Sequence, residues 1–174
     1  MRREISAGII VFRRSSEGKK FLVLYHGHNY WNFPKGKIES EEKSFEAALR
    51  ETREETGLAG QDLKIMSGFR AYERFSFKRD NQEVFKIVIF YLAETKNPIV
   101  KISKEHQGYG WFLYPEAQKI LGTYQDSKRV LKLAHDFLRG QSNQRGKKNP
   151  PRPRPNVPRS GPPGRQPEGF PRGR

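Results

Sequence analysis

The stretch that decides the fold is GKIESEEKSFEAALRETREETGL, residues 36–58. At about 3.6 residues per turn it predicts a helix with one face that packs on a sheet, formed by Phe45, Leu49, Thr52 and Thr56. A second face, in the last turn and a half, carries Glu51, Glu54 and Glu55. Local physics disfavours that face, because a helix C-terminus is partly negative and like charges one turn apart repel.

A bound cation would explain three glutamates at the end of this helix. Hard carboxylate oxygens suit Mg²⁺ or Mn²⁺ better than a soft metal. Gly57 is expected to end the helix in the left-handed conformation, and a loop that ends at Gly36 should lie beside the glutamates. The alternative is a solvated acidic face with a purely structural role.

Composition predicts one domain with a sizeable core and excludes cysteine chemistry. The chain has 174 residues and no cysteine, so it has neither a disulfide framework nor a thiolate metal site. The apolar run near the start ends at Arg13 and Arg14, too early for a signal peptide or a membrane span. We therefore expect a cytoplasmic, monomeric protein that does not enter a membrane.

Basic charge is concentrated near the C-terminus. The formal net charge is +15, and residues 140–174 hold nine Lys and Arg residues against one acidic residue, Glu168. This segment is rich in Pro, Arg and Gly, so we predict a disordered basic tail over 140–174 and a folded domain over 1–139. The tail could bind RNA or another polyanion, or it could be only a solvated extension.

The predicted domain mixes strands and helices. Alternating apolar residues predict strands, and helical periodicity predicts a closing helix that Gly140 would cap. The predicted elements are strands 4–13 and 20–26, a loop 26–37, long strands 63–77 and 83–95 joined by a turn 78–82, a short strand 109–113, a helix that begins at Pro115, and a helix 127–140.

The spacing of the fixed residues in 36–58 resembles the Nudix box. The matching positions follow G-x5-E-x7-R-E-U-x-E-E-x-G-U, and the departure is Thr52, where a bulky aliphatic residue is usual. The resemblance spans roughly residues 3–139 and implies an α/β/α sandwich around a mixed β-sheet. It also implies a hydrolase that cleaves a diphosphate bond in compounds where a nucleoside diphosphate is linked to another group.

Carried over position by position, the resemblance implies a metal site on the helix. Arg50 would orient a neighbouring glutamate, and Glu42 would fix the loop. Glu51 could bind metal or help activate water, so the identity of the general base stays open. The implied metal ligands are the Gly36 carbonyl, Glu51, Glu54, Glu55 and Glu105.

Two further segments, 30–39 and 104–112, look like the animal and archaeal asymmetrical diadenosine tetraphosphate hydrolases. In that group a glutamate before His-Gln is a metal ligand or general base, which is Glu105 here, and lysines contact phosphates. The substrate-binding candidates are Lys35, Lys37 (where many relatives have His), Lys86, Tyr109 as an adenine-stacking ring, and Phe77. For the aromatic residues the alternative is core packing, and the four histidines are expected to be structural.

These observations lead to one main functional hypothesis and two alternatives. The main hypothesis is Mg²⁺-dependent hydrolysis of diadenosine tetraphosphate to ATP and AMP. The first alternative is an RNA 5′-pyrophosphohydrolase or a hydrolase of another nucleoside-diphosphate-linked substrate. The second is a non-catalytic RNA-binding module, which the retained glutamates disfavour.

Overall fold

A mixed eight-stranded sheet and three α-helices form the part of the chain that this computed structural model describes, residues 2–147, with side chains to residue 142. A 3₁₀ turn, Gly60–Asp62, follows the first helix. The elements are β1 (Arg2–Ser15), β2 (Gly18–Tyr25), β3 (Trp31–Asn32), β4 (Lys35–Lys37), α1 (Ser44–Thr56), β5 (Leu63–Ile65), β6 (Ala71–Arg79), β7 (Gln82–Thr95), β8 (Gly108–Leu113), α2 (Tyr114–Ile120) and α3 (Gln125–Lys147).

The sheet is covered on both faces, which confirms the predicted α/β/α sandwich. Strand β1 runs parallel to β7 and antiparallel to β2 and β4, while β5 and β6 pair antiparallel with β7 and β8 pairs antiparallel with β2. Alternate residues of β1 point to opposite faces. Ile9 joins the apolar cluster under α1 with Ala48, and Ile10 joins the cluster under α2 and α3 with Leu131.

Helix α1 packs as its sequence predicts. Thr52 and Thr56 are fully buried, and Phe45 and Leu49 pack at the edge of the same apolar cluster. The Thr52 hydroxyl donates to the Ala48 carbonyl over 2.7 Å, so a polar residue is tolerated at this aliphatic position. Gly57 ends the helix with φ 74°, a left-handed conformation that glycine adopts without strain.

Several predicted boundaries in the sheet were wrong. Residues 63–77 are not one strand, because β5 ends at Ile65 and β6 begins at Ala71 after a bend at Gly68, where φ is 84°. The turn predicted at 78–82 consists of only Asp80 and Asn81. Both residues have positive φ, as a two-residue type I′ hairpin turn requires. The predicted loop 26–37 contains β3 and β4.

The predicted cap at Gly140 was also wrong, because α3 continues through this glycine to Lys147. Residues 140–147 of the predicted tail are therefore helical. The Ser142 hydroxyl donates to the Leu138 carbonyl over 3.1 Å, across the position where the helix was expected to end. The rest of the predicted disordered tail, 148–174, lies outside the described residues. Within residues 2–147, no helix combines the length and the apolar character that crossing a membrane requires.

Candidate active site

The C-terminal half of α1, strand β4 and the loop 103–105 line a cavity of about 540 Å³, which we call the carboxylate cavity. It brings together every residue predicted to bind metal, together with Arg50 and two of the predicted substrate lysines. The lining residues are Lys35, Gly36, Lys37, Glu39, Arg50, Glu51, Glu54, Glu55, Ser103, Lys104 and Glu105.

Glu55 is the most buried carboxylate of this cavity, with 8% of its surface exposed. Its Oε2 accepts a hydrogen bond from the backbone N–H of Lys35 over 2.9 Å, which fixes the end of α1 against β4. Burial raises the pKa of Glu55 to about 7, although the Lys35 N–H and ammonium charge oppose the shift. Burial therefore disfavours the ionised form of this side chain.

Arg50 forms hydrogen bonds with several groups at the rim of the cavity. Its guanidinium donates to both oxygens of Glu42 over 2.9 Å each, to Glu51 over 2.8 Å and to the Lys37 carbonyl over 3.0 Å. A longer bond of 3.3 Å reaches Glu54, whose side chain is half exposed. The predicted contacts of Arg50 and the loop-fixing contact of Glu42 are thus present in the structure.

Strand β4 approaches α1 too closely for any side chain at position 36. A Cβ on Gly36 would overlap the Glu51 carboxylate, so glycine at this position lets the carboxylate pack directly against the backbone of β4. Burial raises the pKa of Glu51, with Arg50 acting in the opposite direction.

The cavity fits a hard divalent cation in the type and charge of its donors. Its walls offer carboxylate oxygens from Glu51, Glu54, Glu55 and Glu105, and a cation beside the buried Glu55 would favour its ionised form. Among the described residues, however, no three acidic or histidine side chains already stand close enough together to hold a metal ion. Arg50 draws Glu51 and Glu54 toward itself, so these two side chains would have to turn to bind a cation.

A second cavity of about 460 Å³ lies on the other face of the sheet, and we call it the aromatic pocket. The rings of Tyr30 and Tyr124 meet edge to face at 4.9 Å, and Phe75 is 38% exposed beside them. The lining residues are Tyr30, Asn32, Glu73, Phe75, Thr123, Tyr124, Gln125, Asp126 and Ser127.

Three of the predicted substrate residues, Tyr109, Phe77 and Lys86, line neither cavity. Tyr109 lies on β8 opposite Leu24, on the face that α1 covers. Phe77 lies one pleat beyond Phe75 on β6, where the Arg79 guanidinium covers its ring at 5.1 Å. Phe75, and not Phe77, is therefore the β6 ring that lines the aromatic pocket.

Lys35 connects the two cavities, while Lys86 lies only beside the second. The backbone N–H of Lys35 binds Glu55, and its ammonium group lies 5.8 Å from the centre of the Tyr30 ring. Lys86 pairs with Phe75 across β6 and β7, so the two side chains share one face of the sheet. Burial, followed by the charge of Lys35, lowers the pKa of Lys86.

Sequence reasoning missed three residues of the site: Tyr30, Tyr124 and His106. The two tyrosines come from the connections β2–β3 and α2–α3, and although Tyr30 opens the segment 30–39, nothing in the sequence links it to Tyr124. His106 was predicted to be structural, but its Nε2 lies 3.6 Å from Glu55 Oε1. Its proximity to the cavity could have been inferred from Glu105, the neighbouring predicted ligand.

Comparisons with known proteins agree with this geometry. Residues 2–134 match the NUDIX domain model. The mouse bis(5′-nucleosyl)-tetraphosphatase (asymmetrical) is 37% identical over 143 residues, which cover 76% of this chain and 94% of the relative. The crystal structure of a C. elegans Ap4A hydrolase binary complex has a TM-score of 0.68 at 28% identity and covers 79% of this chain and 98% of that one.

A more distant similarity covers less than half of the chain. An RNA pyrophosphohydrolase of Alkalilimnicola ehrlichii is 36% identical over 74 residues, which cover 42% of this chain and 40% of the relative. The domain match, the near full-length relatives and the carboxylate cavity lead to one assignment: the chain belongs to the Nudix hydrolase family.

Proposed function

We propose that this chain is a Mg²⁺- or Mn²⁺-dependent hydrolase that cleaves diadenosine tetraphosphate to ATP and AMP. The observation that carries the proposal is the connection of a carboxylate cavity to an aromatic pocket through Lys35. A dinucleoside polyphosphate needs both environments, since it carries a flat base at the end of a strongly charged chain. The relatives that align over nearly their full length bear the corresponding name.

In the carboxylate cavity, Glu55, Glu51, Glu54 and the Gly36 carbonyl would hold the cation. When bound there, the cation lowers the pKa of water and neutralises phosphate charge. Arg50 keeps Glu51 and the loop of Glu42 in place through its network of hydrogen bonds. Glu105 lies on the wall opposite α1 and is exposed, which suits a base that takes a proton from the attacking water.

In the aromatic pocket, Phe75 and Tyr124 offer exposed rings on which one base can stack. Lys35 lies between these rings and the carboxylate cavity, and Lys86 lies beside Phe75, so their charges would hold the phosphate chain. Lys37 lines the carboxylate cavity and would meet the far end of that chain. Substrate positioning and charge neutralisation together supply most of the catalysis in phosphoryl-type transfer.

Pyrophosphate removal from triphosphorylated RNA is the second candidate function. The net charge of +15 favours a polyanionic substrate, and the partial relatives include RNA pyrophosphohydrolases. RNA binding by the segment 140–174 stays a prediction, because most of that segment lies outside the described residues.

A competition assay tests the proposal. Diadenosine tetraphosphate, 5′-triphosphorylated RNA and ADP-ribose would be supplied at equal concentrations with Mg²⁺, and products would be separated by anion-exchange chromatography. We expect ATP and AMP to appear first, and to disappear when EDTA is added. Faster conversion of RNA than of the dinucleotide would contradict the main proposal and support the second candidate.

A further inference from the structure

One nitrogen of a buried histidine beside the carboxylate cavity has no hydrogen-bond partner. The His106 side chain is 1% exposed, and its Nε2 is among four buried side-chain atoms of the described residues that lack such a partner. An unpaired polar group in a protein interior destabilises the folded state. Packing alone does not explain why the fold retains a buried imidazole with an unpaired nitrogen.

The surroundings of the ring fix both of its nitrogens. Nε2 faces Glu55 Oε1 at 3.6 Å, and Nδ1 lies 2.9 Å from the Ser103 hydroxyl oxygen. The ring of His26 meets that of His106 edge to face at 4.4 Å and limits its rotation. Ser103 belongs to the same loop, whose turn is closed by the His106 N–H bond to the Ser103 carbonyl over 3.2 Å.

The chemistry of the neighbours selects one tautomer. A neutral imidazole has one donor nitrogen and one acceptor nitrogen, whereas an ionised carboxylate only accepts. When Glu55 is ionised, the arrangement that pairs both ring nitrogens places the proton on Nε2, facing Glu55, and leaves Nδ1 to accept a hydrogen bond from the Ser103 hydroxyl.

We propose that Ser103 and His106 act as a positioning pair that holds Glu55 in its cation-binding orientation. The Lys35 N–H holds Oε2 over 2.9 Å, the Ser103 hydroxyl would donate to Nδ1 over 2.9 Å, and Nε2–H would donate to Glu55 Oε1 once their separation closes. The present 3.6 Å separation closes to a hydrogen bond with a shift of about 0.5 Å. With both oxygens held from behind, the carboxylate cannot turn away from the cavity. This inference rests on the proposed metal-dependent function.

The tautomer can be measured without metal or substrate. In protein with ¹⁵N-labelled histidine, two-bond ¹H–¹⁵N correlation spectra at pH 8 distinguish the two protonated nitrogens. We expect the His106 proton on Nε2. A proton on Nδ1 would overturn the proposal, whatever reaction the enzyme catalyses.

Two substitutions at this position separate positioning from packing. His106→Gln can place an amide N–H near the position of Nε2, whereas His106→Asn reaches only the position of Nδ1. Mn²⁺ binding without substrate would be followed by electron paramagnetic resonance, and thermal unfolding would report the packing cost.

We expect Asn to weaken Mn²⁺ binding about tenfold or more, as loss of a hydrogen bond to a metal ligand typically does, and Gln to leave it nearly unchanged. If both variants weakened Mn²⁺ binding equally and in proportion to their loss of thermal stability, the positioning role of His106 would be contradicted. Because binding is measured directly, failure of the proposed substrate assignment would leave this result intact. Failure of Asn to fold would leave the tautomer measurement to decide.

Discussion

The carboxylate cavity and the aromatic pocket are connected by one lysine but are built in opposite ways. The cavity gathers charges on α1 and β4, with Glu55 buried and Arg50 bridging its neighbours. The pocket exposes aromatic rings from three separate elements, with Phe75 and Tyr124 at its surface. This difference indicates that the two regions have separate functions, which we call the division between cavity and pocket. Substitutions in the cavity should lower kcat, and substitutions in the pocket should weaken substrate binding and raise KM.

The strongest test of the division is Glu55→Gln, which keeps the shape of the side chain but removes its charge. We expect kcat to fall roughly 10³-fold with a small change in KM, because several kcal/mol of electrostatic stabilisation would be lost. Steady-state kinetics with Mg²⁺ would measure it. The matched control is Glu83→Gln on β7, an exposed glutamate that lines neither cavity and should behave like the wild type. A normal kcat in Glu55→Gln would remove this residue from the metal site.

Arg50→Lys should have the next largest effect, although it preserves the positive charge. A lysine cannot reproduce the planar fork that holds Glu42, Glu51 and the Lys37 carbonyl together. We expect kcat/KM to fall about 10- to 100-fold and the midpoint of thermal unfolding to decrease. If this variant had wild-type kinetics, a positive charge at position 50 would be sufficient for activity without the planar guanidinium group.

A pair of phenylalanine substitutions tests the pocket. Phe75→Ala should raise KM for diadenosine tetraphosphate about tenfold with little change in kcat, since stacking of one base contributes about 1–3 kcal/mol. Phe77→Ala is the matched control one pleat away, with its ring against Arg79, and should leave KM nearly unchanged. The reverse result would restore Phe77 as the substrate-binding ring.

The smallest expected effect is on pH-dependent stability without metal. The pKa of Glu55 is raised from 4.5 to about 7 in the folded state, so the folded protein binds this proton more tightly than the unfolded chain. Its contribution to stability is complete below pH 4.5 and is lost as pH rises through about 7. Between pH 5 and 8, the unfolding midpoint of the metal-free wild type should therefore fall more than that of Glu55→Gln.

Added Mg²⁺ should reverse this loss at pH 8 in the wild type and not in Glu55→Gln, because the cation binds the ionised carboxylate. Differential scanning calorimetry with and without EDTA would measure both. Identical pH profiles of the two metal-free proteins would contradict the raised pKa.

The two regions also differ in how much the sequence reveals. Helix α1 and its glutamates follow from local spacing, so the residues of the carboxylate cavity could be predicted before the fold was known. The aromatic pocket could not, because Tyr30, Phe75 and Tyr124 meet only through tertiary packing. Choosing Phe75 over Phe77 requires knowing which ring Arg79 covers, and local pattern does not contain that information.

The end of α3 and the burial of individual glutamates also depend on tertiary packing that the sequence pattern does not reveal. Gly140 is a common helix terminator, yet α3 continues through it, since a single glycine costs only about 1 kcal/mol and the next proline is at position 150. The spacing of the box places Glu54 and Glu55 side by side, but only the packing of β4 and His106 makes Glu55 buried and leaves Glu54 exposed.

The most direct test is a crystal structure with a non-hydrolysable diadenosine tetraphosphate analogue and Mn²⁺, whose anomalous signal locates the cation. We expect Mn²⁺ on Glu55 in the carboxylate cavity and one adenine against Phe75 and Tyr124, with the phosphate chain passing Lys35. An adenine stacked on Tyr109, or a cation bound away from α1, would contradict this expectation.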